Sequence, residues 1–330
     1  IIMLKYDPAK MVERAKGCLA NKKEIIEVAD KLSQEGFSNI FFIGVGGTIT
    51  YAWSIQETLK PLTTLEYHAE HAADFNTLGN KKFTKDSIVV VSSSTGDTKE
   101  VVEAVDKAKA VGARVVGFVD TPGTPLAEKA DYYIPGGSYY RYYTFFLRLV
   151  HNNGEYPEFD EMYANLEKLP ELMPTVAEAA EKDAEEFARI HRDDAIQYLI
   201  GSGNMWGPTY SYAMCIMEEM QWMRTKSVTA GDFFHGTLEV IGRDDSVILF
   251  YGEDATRPQM ARAEKFLHTI CKNVTVFDTA KYELPGIDKK FRGLFSPIVL
   301  GGITGRIGVY LEEYGKHPMP IRRYYRKLDY

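Results

Sequence analysis

Hydrophobic residues along this chain alternate between short unbroken runs and longer segments in which they recur every three or four positions. Unbroken runs bounded by glycine or polar turns indicate buried strands, whereas the three-to-four spacing indicates amphipathic helices. The runs predict strands at residues 39–44, 64–67, 87–91, 114–120, 131–134, 198–203, 246–250 and 273–277. The periodic segments predict helices at 8–35, 51–59, 101–108, 138–150, 162–169, 176–191, 211–222 and 295–309. Strands that alternate with helices are typical of an α/β protein with parallel sheets.

The pattern of the first half of the chain returns in the second half. Tyr198–Gly203 repeats the apolar run and glycine turn of Phe41–Gly46, and Ser246–Phe250 repeats Ser87–Val91. Both repeats have nearly the same offset, about 158 residues, which indicates two copies of one α/β unit. We therefore expect a first domain at 8–157, a helical linker at 158–192 and a second domain at 193–330.

Composition narrows the class of protein. The formal net charge is −7, and nucleic acids and anionic membranes select for basic surfaces, so neither is expected as a partner. No run of 18 apolar residues is present, and the start of the chain lacks the apolar core of a signal peptide. The 3 scattered cysteines form neither a disulfide framework nor a Cys-x-x-Cys pair. These features predict a cytoplasmic protein.

Two strand-to-helix turns in the first half are candidates for binding an anion. The turn Gly44–Thr50 is rich in glycine, and a helix that follows a strand through such a turn points its first N–H groups at a ligand. A dinucleotide site is disfavoured because its fingerprint needs glycine where Ile49 stands. The second turn, Ser92–Thr98, carries more hydroxyls than capping a helix requires, which favours phosphate binding. At the corresponding place the second half has the acidic pair Glu253 and Asp254, which would repel phosphate.

Two further clusters have plainer interpretations. His68, Glu70, His71 and Asp74 are potential metal ligands, but their spacing is not that of a zinc protease, and a polar strand-to-helix connection is favoured. The helix at 138–150 is dense in tyrosine and phenylalanine, which favours core packing or a subunit interface over a ligand site.

The candidate for acid–base chemistry lies at the end of the helix 211–222. Glu218 and Glu219 interrupt an apolar segment, and buried carboxylates cost free energy unless they are used. His235 follows Glu219 by sixteen residues, after a turn at Ala230–Asp232. A carboxylate and an imidazole brought together can transfer protons at a sugar carbon. From the residues alone, a glutamate on a helix surface and a capping histidine are the favoured interpretation.

Several of these motifs together resemble the double-SIS (sugar isomerase) domain enzymes. The resemblance covers Glu219 with its spacing to His235-Gly236-Thr237-Leu238-Glu239, the segment Met217–Trp222 and the basic, tyrosine-rich tail at 317–330. It also covers Ser93–Thr98, which aligns with the Ser-x-Ser-Gly-x-Thr motif of that family. Thr237 stands where proline is usual, and Thr95 replaces the second serine while keeping a hydroxyl. The match is closest to the fructosamine 6-phosphate deglycases, with the isomerase domain of glucosamine-6-phosphate synthase as a more distant relative.

The resemblance implies a fold, a reaction and a set of site residues. The implied fold is two flavodoxin-like SIS domains, each a parallel sheet with helices on both faces. Glu219 is implied as the catalytic base, and His235 as the group that assists ring opening. The implied phosphate-binding residues are Gly47, Thr48, Ser93, Ser94, Thr95 and Thr98. The base works best where apolar neighbours favour its neutral form, and Met220, Trp222 and Phe234 are the expected neighbours.

The implied reaction cleaves a 6-phosphorylated Amadori product, such as fructoselysine 6-phosphate, to glucose 6-phosphate and a free amine. It needs no metal and no redox cofactor, because the carbonyl and amine of the substrate carry the electron shift. The family resemblance also implies a homodimer or higher homo-oligomer with shared active sites, in which the partner subunit lends the histidine. A phosphosugar isomerase or aminating enzyme, and a phosphosugar-sensing regulator, remain alternatives. The identity of the amine, the choice between Glu218 and Glu219 without the family spacing, and any role of Lys327 stay open.

Overall fold

The structure, a computed structural model, describes residues 3–329 of the chain. Within them the chain forms two compact units. One is Glu13–Glu167, and the other contains the described residues before Glu13 and after Glu167. The segment 158–192, expected as a linker, is thus divided between the units. Tyr330, the last residue of the expected second domain, lies outside the described residues.

The unit Glu13–Glu167 is built on a five-stranded parallel sheet with the order β2-β1-β3-β4-β5. Its strands are β1 Asn39–Gly44, β2 Tyr67–His71, β3 Ser87–Ser93, β4 Arg114–Val119 and β5 Tyr132–Pro135. The helices up to Leu166 are α1 Pro8–Leu19, α2 Lys22–Glu35, α3 Gly47–Leu59, α4 Ala72–Leu78, α5 Lys99–Val111, α6 Pro125–Lys129, α7 Tyr139–Asn152 and α8 Phe159–Leu166. This strand order is that of a flavodoxin-like sheet.

Neighbouring residues of β1 show that helices cover both faces of this sheet. Successive side chains of a strand point to opposite faces. The ring of Phe42 packs against Phe146 of α7, and the ring of Phe41 packs against Phe75 of α4. Tyr142, Phe145 and Phe146 of α7 are fully buried, which confirms that this aromatic helix packs into the core.

Some element boundaries predicted in this unit were wrong. The helix predicted at 8–35 is two helices, because the helix ends after Leu19 and the turn at Ala20 and Asn21 separates it from α2. The strand predicted at 64–67 is instead Tyr67–His71, paired with β1 at the edge of the sheet. Its polar residues gave no apolar run, because an edge strand is only partly covered.

The other unit has a four-stranded parallel sheet with the order β7-β6-β8-β9. Its strands are β6 Gln197–Gly201, β7 Thr225–Thr229, β8 Ser246–Tyr251 and β9 Asn273–Asp278. Its helices are α9 Leu169–His191, α10 Trp206–Ser211, α11 Ala230–Phe233, α12 Arg257–Ile270 and α13 Lys289–Gly315, with a π-helical segment at Tyr212–Glu218. The sheet repeats the first four strand positions of the other unit, so the predicted fold of two parallel α/β sheets is confirmed.

Helix α13 forms the core of this unit with α9. By length and composition alone it could cross a membrane, but most of its apolar window is buried inside the protein. Gly302 lies against Val176 of α9, where a side chain at residue 302 would meet Val176 at 3.2 Å. A buried ion pair between Arg306 and Glu181 also joins the two helices. The segment is therefore a core helix by its packing.

Candidate active site

The two predicted phosphate turns follow adjacent strands of one sheet. β1 and β3 are neighbours with Ile43 opposite Val91, and both turns begin directly after these residues pair. The chain continues from β1 toward one edge of the sheet and from β3 toward the other. In open α/β sheets, ligands bind at such a switch point, at the carboxyl ends of the strands. The structure therefore places Gly47 and Thr48 on one side of this point and Ser93–Thr98 on the other.

The turn after β1 runs directly into α3. Helix α3 begins at Gly47, four residues before the predicted start, so Gly47 and Thr48 belong to its first turn. Gly46 has a φ of 55°, a conformation that favours glycine. The Thr48 hydroxyl donates to the carbonyl oxygen of Val45 at 2.8 Å and accepts from the Val45 N–H at 3.1 Å. Thr48 thus shapes the turn, and the first turn of α3 faces the carboxyl end of the sheet.

A buried serine and a glycine determine the shape of the turn after β3. Ser93 is 4% exposed, and its hydroxyl accepts a hydrogen bond from the N–H of Gly96 at 2.9 Å. Gly96 has a φ of 71°, and a Cβ there would lie 1.9 Å from the hydroxyl of Thr124. Ser94 and Thr95 are exposed, and Thr98 precedes the first residue of α5. The turn therefore has two exposed hydroxyl-bearing residues, Ser94 and Thr95, beside the start of a helix.

In the other unit, the turn after β6 corresponds to the turn after β1, and a carboxylate of the protein itself lies in it. Gly203 has a φ of 55°, as Gly46 does. Oδ2 of Asp254 accepts from the backbone N–H of Asn204 at 2.9 Å, and a Cβ on Gly203 would lie 2.1 Å from that oxygen. Glu253 forms a two-pronged ion pair with Arg292, at 2.7 and 2.9 Å. An anion of the protein occupies this turn, so a phosphate would have to displace it.

The segment before Glu219 is wider than the α-helix that its periodicity predicted. After α10 the backbone forms a π-helix at Tyr212–Glu218, in which the N–H of Glu219 bonds the carbonyl of Met214. The apolar spacing did not reveal that backbone hydrogen bonds here join residues five positions apart. Trp222 then adopts a φ of 55°, which is unusual for a bulky residue. Short π-helical segments and such backbone conformations cluster at functional sites.

Glu219 lines a pocket of about 780 Å³. Its side chain is 30% exposed, and Oε1 accepts a hydrogen bond from Nε of Arg322 at 2.8 Å. Glu218 lines the same pocket but is exposed and accepts a hydrogen bond from the hydroxyl of Thr225. Most of the other lining side chains are charged or aromatic. The residues are Arg192, Asp193, Asp194, Ala195, Trp222, Met223, Arg224, Arg322, Arg323, Tyr324 and Tyr325.

The C-terminal tail lies against the residues that follow Glu219. Gln221 is buried, and its Nε2 donates to the carbonyl oxygen of His317 at 2.9 Å. The ring of Trp222 contacts the His317 ring at 4.2 Å and the guanidinium of Arg323 at 4.3 Å. Within one chain, Phe234 packs against Phe266 and is not among the residues that line the pocket of Glu219. Charged and aromatic tail residues surround this pocket.

His235 lines a different and smaller pocket, of about 320 Å³. It is exposed, and its backbone N–H bonds the carbonyl of Asp232 at the end of α11. Thr237 begins a short 3₁₀-helix, in keeping with its place at a helix start. Trp206, Lys226 and Asp232 are among the other lining residues. Within one chain, Glu219 and His235 therefore belong to separate pockets.

The cluster considered for metal binding has other partners. His68 hydrogen-bonds Glu66 at 3.0 Å, and its ring stacks on Phe41 with centroids 4.5 Å apart. Glu70 accepts from the side chain of Asn80 at 2.8 Å. Across residues 3–329, no three His, Cys, Asp or Glu side chains are grouped as a metal ion would require.

Comparisons with known proteins show which family the chain belongs to. Residues 31–135 match the SIS domain model. The chain is 30% identical to the fructosamine deglycase FrlB of Bacillus subtilis strain 168, over 93% of this chain and 97% of that protein. The chain belongs to the SIS domain family. Fructoselysine 6-phosphate deglycase of Escherichia coli K12 is 20% identical over 96% of this SIS protein and 94% of its own length.

Solved structures agree with the fold of this SIS protein. A crystal structure of a candidate phosphosugar isomerase from Bacillus subtilis superposes with a TM-score of 0.87 at 26% identity, covering 96% of this chain and 100% of that one. The resemblance stated from the motifs is confirmed at the level of the family and its deglycase relatives.

One residue of this SIS pocket was not found from the sequence. Arg322 lies 103 positions after the carboxylate that it contacts. The sequence signal was the basic, aromatic composition of the tail, which predicted that the tail packs against the protein. It did not predict which residue the tail contacts. The assigned roles of Glu219, His235 and the phosphate-binding residues stay predictions.

Proposed function

We propose that this SIS protein is a deglycase that converts a fructosamine 6-phosphate, such as fructoselysine 6-phosphate, to glucose 6-phosphate and a free amine. One observation carries the proposal. In a chain 30% identical to a fructosamine deglycase over nearly its full length, a half-buried glutamate lines a pocket large enough for a sugar derivative. That glutamate is Glu219, the residue whose motif aligns with the family base.

The proposed chemistry is a proton transfer followed by hydrolysis. Glu219 removes a proton from C1 of the open-chain substrate, whose C2 carbonyl accepts the electron pair as an enaminol. Return of the proton to C2 gives an imine at C1. Water adds to this imine, the C1–N bond breaks, and the products are glucose 6-phosphate and the amine. One water is consumed, and no electrons leave the substrate, so no redox partner takes part.

Phosphate binding is assigned to the unit Glu13–Glu167. The exposed residues Ser94 and Thr95, the buried Ser93 that shapes their turn, and the first turn of α3 support this assignment. Helix N-termini and hydroxyl-rich turns bind phosphate because their N–H and O–H groups donate to its oxygens. The other unit does not offer an equivalent site, since Asp254 fills the corresponding turn.

His235 of one chain is assigned to ring opening at the active site that contains Glu219 of a second copy. The support is its exposed position in a pocket separate from that of Glu219. In a homo-oligomer with shared sites, a chain that lacks Glu219 and a chain that lacks His235 can together form one intact site. Mixing Glu219→Gln with His235→Ala protein is expected to recover activity that neither has alone. Failure to recover any activity in demonstrably mixed oligomers contradicts shared sites.

The function itself is tested by glucose 6-phosphate release. A panel of 6-phosphorylated Amadori products from different amino acids is incubated with the protein, and glucose 6-phosphate is measured with a coupled dehydrogenase. We expect turnover of at least one member of the panel. Interconversion of fructose 6-phosphate and glucose 6-phosphate, without activity on the panel, indicates an isomerase. Sugar-phosphate binding without any turnover indicates a regulatory protein.

A further inference from the structure

The guanidinium of Arg322 joins the tail to the carboxylate of Glu219. Its Nε donates to Oε1 of Glu219 at 2.8 Å, while Nη1 donates to the backbone carbonyls of Met319 at 2.6 Å and Ile321 at 3.1 Å. The Arg322 side chain is only 17% exposed. The arginine is thus fixed by its own backbone on one side and holds the glutamate on the other.

This tail segment is itself docked onto the residues directly after Glu219. The side chain of Gln221 donates to the carbonyl of His317, and the ring of Trp222 contacts both His317 and Arg323. These contacts fix the tail at both ends of the segment 317–323, with Arg322 near its end. The position of the guanidinium therefore follows from the fold of the loop that carries Glu219.

A glutamate at this place needs such support. Glu219 follows a π-helical segment and lies three residues before Trp222, which has a positive φ, so it is close to where the helical backbone ends. A glutamate side chain has several rotatable bonds, and a base must be held within a fraction of an ångström of its proton. The single bond from Nε engages Oε1 and leaves Oε2 as the atom that can take a proton.

We propose that Arg322 is a positioning residue for Glu219: it fixes the carboxylate through Oε1 so that Oε2 serves as the base. The proposal rests on the proposed function, because it needs Glu219 to act on a substrate. The opposite role, a latch that must leave before the base can work, makes the contrary prediction for the rate. Among the other charged groups of this pocket, Arg323 is the natural control; the full set is Asp193, Asp194, Glu218, Arg192, Arg224 and Arg323. Arg323 neighbours Arg322 but lies over the ring of Trp222.

The test is the kinetics of Arg322→Ala with chemical rescue. We expect kcat to fall by about 10- to 100-fold with KM changed less than about threefold, because a misplaced base slows the proton transfer and not the binding. Guanidinium ions, at concentrations far below those that unfold proteins, are expected to restore part of kcat. Arg322→Lys is expected to retain more activity than Arg322→Ala. The kcat of Arg323→Ala is expected not to rise with guanidinium, and sodium chloride of equal ionic strength is expected to rescue neither variant.

The outcomes separate the inference from the function. Turnover by the wild type with an unchanged or raised kcat in Arg322→Ala overturns the positioning role and leaves the deglycase function intact. A fall in kcat that guanidinium does not relieve, together with a lowered urea midpoint, also overturns it, since the loss is then one of folding. A wild type inactive on every Amadori product overturns both.

Discussion

Two glycines of the same unit offer a matched test of how the phosphate turn is built. Gly96, in the turn after β3, and Gly123 have φ values of 71° and 68°. An alanine at residue 123 meets nothing within 4 Å. An alanine at residue 96 would place its Cβ 1.9 Å from Oγ1 and 2.6 Å from Cβ of Thr124. The two substitutions share the backbone penalty and differ in the steric one.

The magnitudes follow from these contacts. Placing alanine in a left-handed conformation costs about 1–2 kcal/mol, and its stiffer unfolded chain returns about 0.4–1 kcal/mol. Gly123→Ala should therefore cost between about 0 and 1.6 kcal/mol. At residue 96, Thr124 cannot simply turn away, because it is β-branched and its hydroxyl donates to the carbonyl of Thr121 at 2.8 Å. Forcing this overlap adds about 1–3 kcal/mol.

Urea unfolding and binding of glucose 6-phosphate by calorimetry measure the two consequences. We expect Gly96→Ala to lower the unfolding free energy by about 1–3 kcal/mol more than Gly123→Ala does, from the overlap alone. We also expect a loss of glucose 6-phosphate affinity of about tenfold or more in Gly96→Ala alone, since about 1.4 kcal/mol of lost contact with the displaced turn is a factor of ten. Equal effects of the two alanines on both quantities refute this account of the turn.

Two further predictions concern stability. Glu155 accepts hydrogen bonds from Thr63, Thr64 and Asn153, and these lower its pKa from 4.5 to about 2. Its stabilisation is present above the unfolded pKa and is lost as the pH falls toward 2, so the urea midpoints of wild type and Glu155→Gln should converge between pH 4.5 and 2. A gap that is constant across this window contradicts that assignment. Arg306 and Glu181 form an ion pair with side chains 5% and 13% exposed, so Glu181→Gln should cost about 3–5 kcal/mol by leaving the arginine unpaired. The double variant Glu181→Leu/Arg306→Met should recover most of that loss in urea unfolding, and an equal or larger loss in it contradicts the reasoning.

Local chemistry explains what could be predicted from the sequence. Strand β1 was placed correctly because Ile-Phe-Phe-Ile between Asn39 and Gly44 is buried on both faces, which leaves an unbroken apolar run. The turn at Ser93–Thr98 stood out because its hydroxyls follow such a run. Both signals depend on residues close together in the chain, so a single sequence contains them.

The rest depends on tertiary contacts that no local pattern carries. Strand β7, Thr225–Thr229, was missed because it is polar, with only Val228 buried. The π-helix was missed because the apolar spacing of Tyr212–Glu218 fits an α-helix equally well. The separation of Glu219 and His235 into two pockets could not be read from a sixteen-residue spacing, since the intervening β7 and α11 decide where each side chain lies.

The central claim is that Glu219 is the base that moves the substrate's proton. The most direct measurement is the rate of glucose 6-phosphate release from a 6-phosphorylated Amadori product by the wild type, Glu219→Gln and Glu218→Gln. Acid–base groups contribute about 10²- to 10⁴-fold to a rate, so Glu219→Gln should lose activity by a factor in this range while still binding glucose 6-phosphate. Glu218→Gln should keep most of its rate, since its carboxylate is exposed and bonded to Thr225. A Glu219→Gln protein that turns over at the wild-type rate contradicts the claim, as does a loss confined to Glu218→Gln.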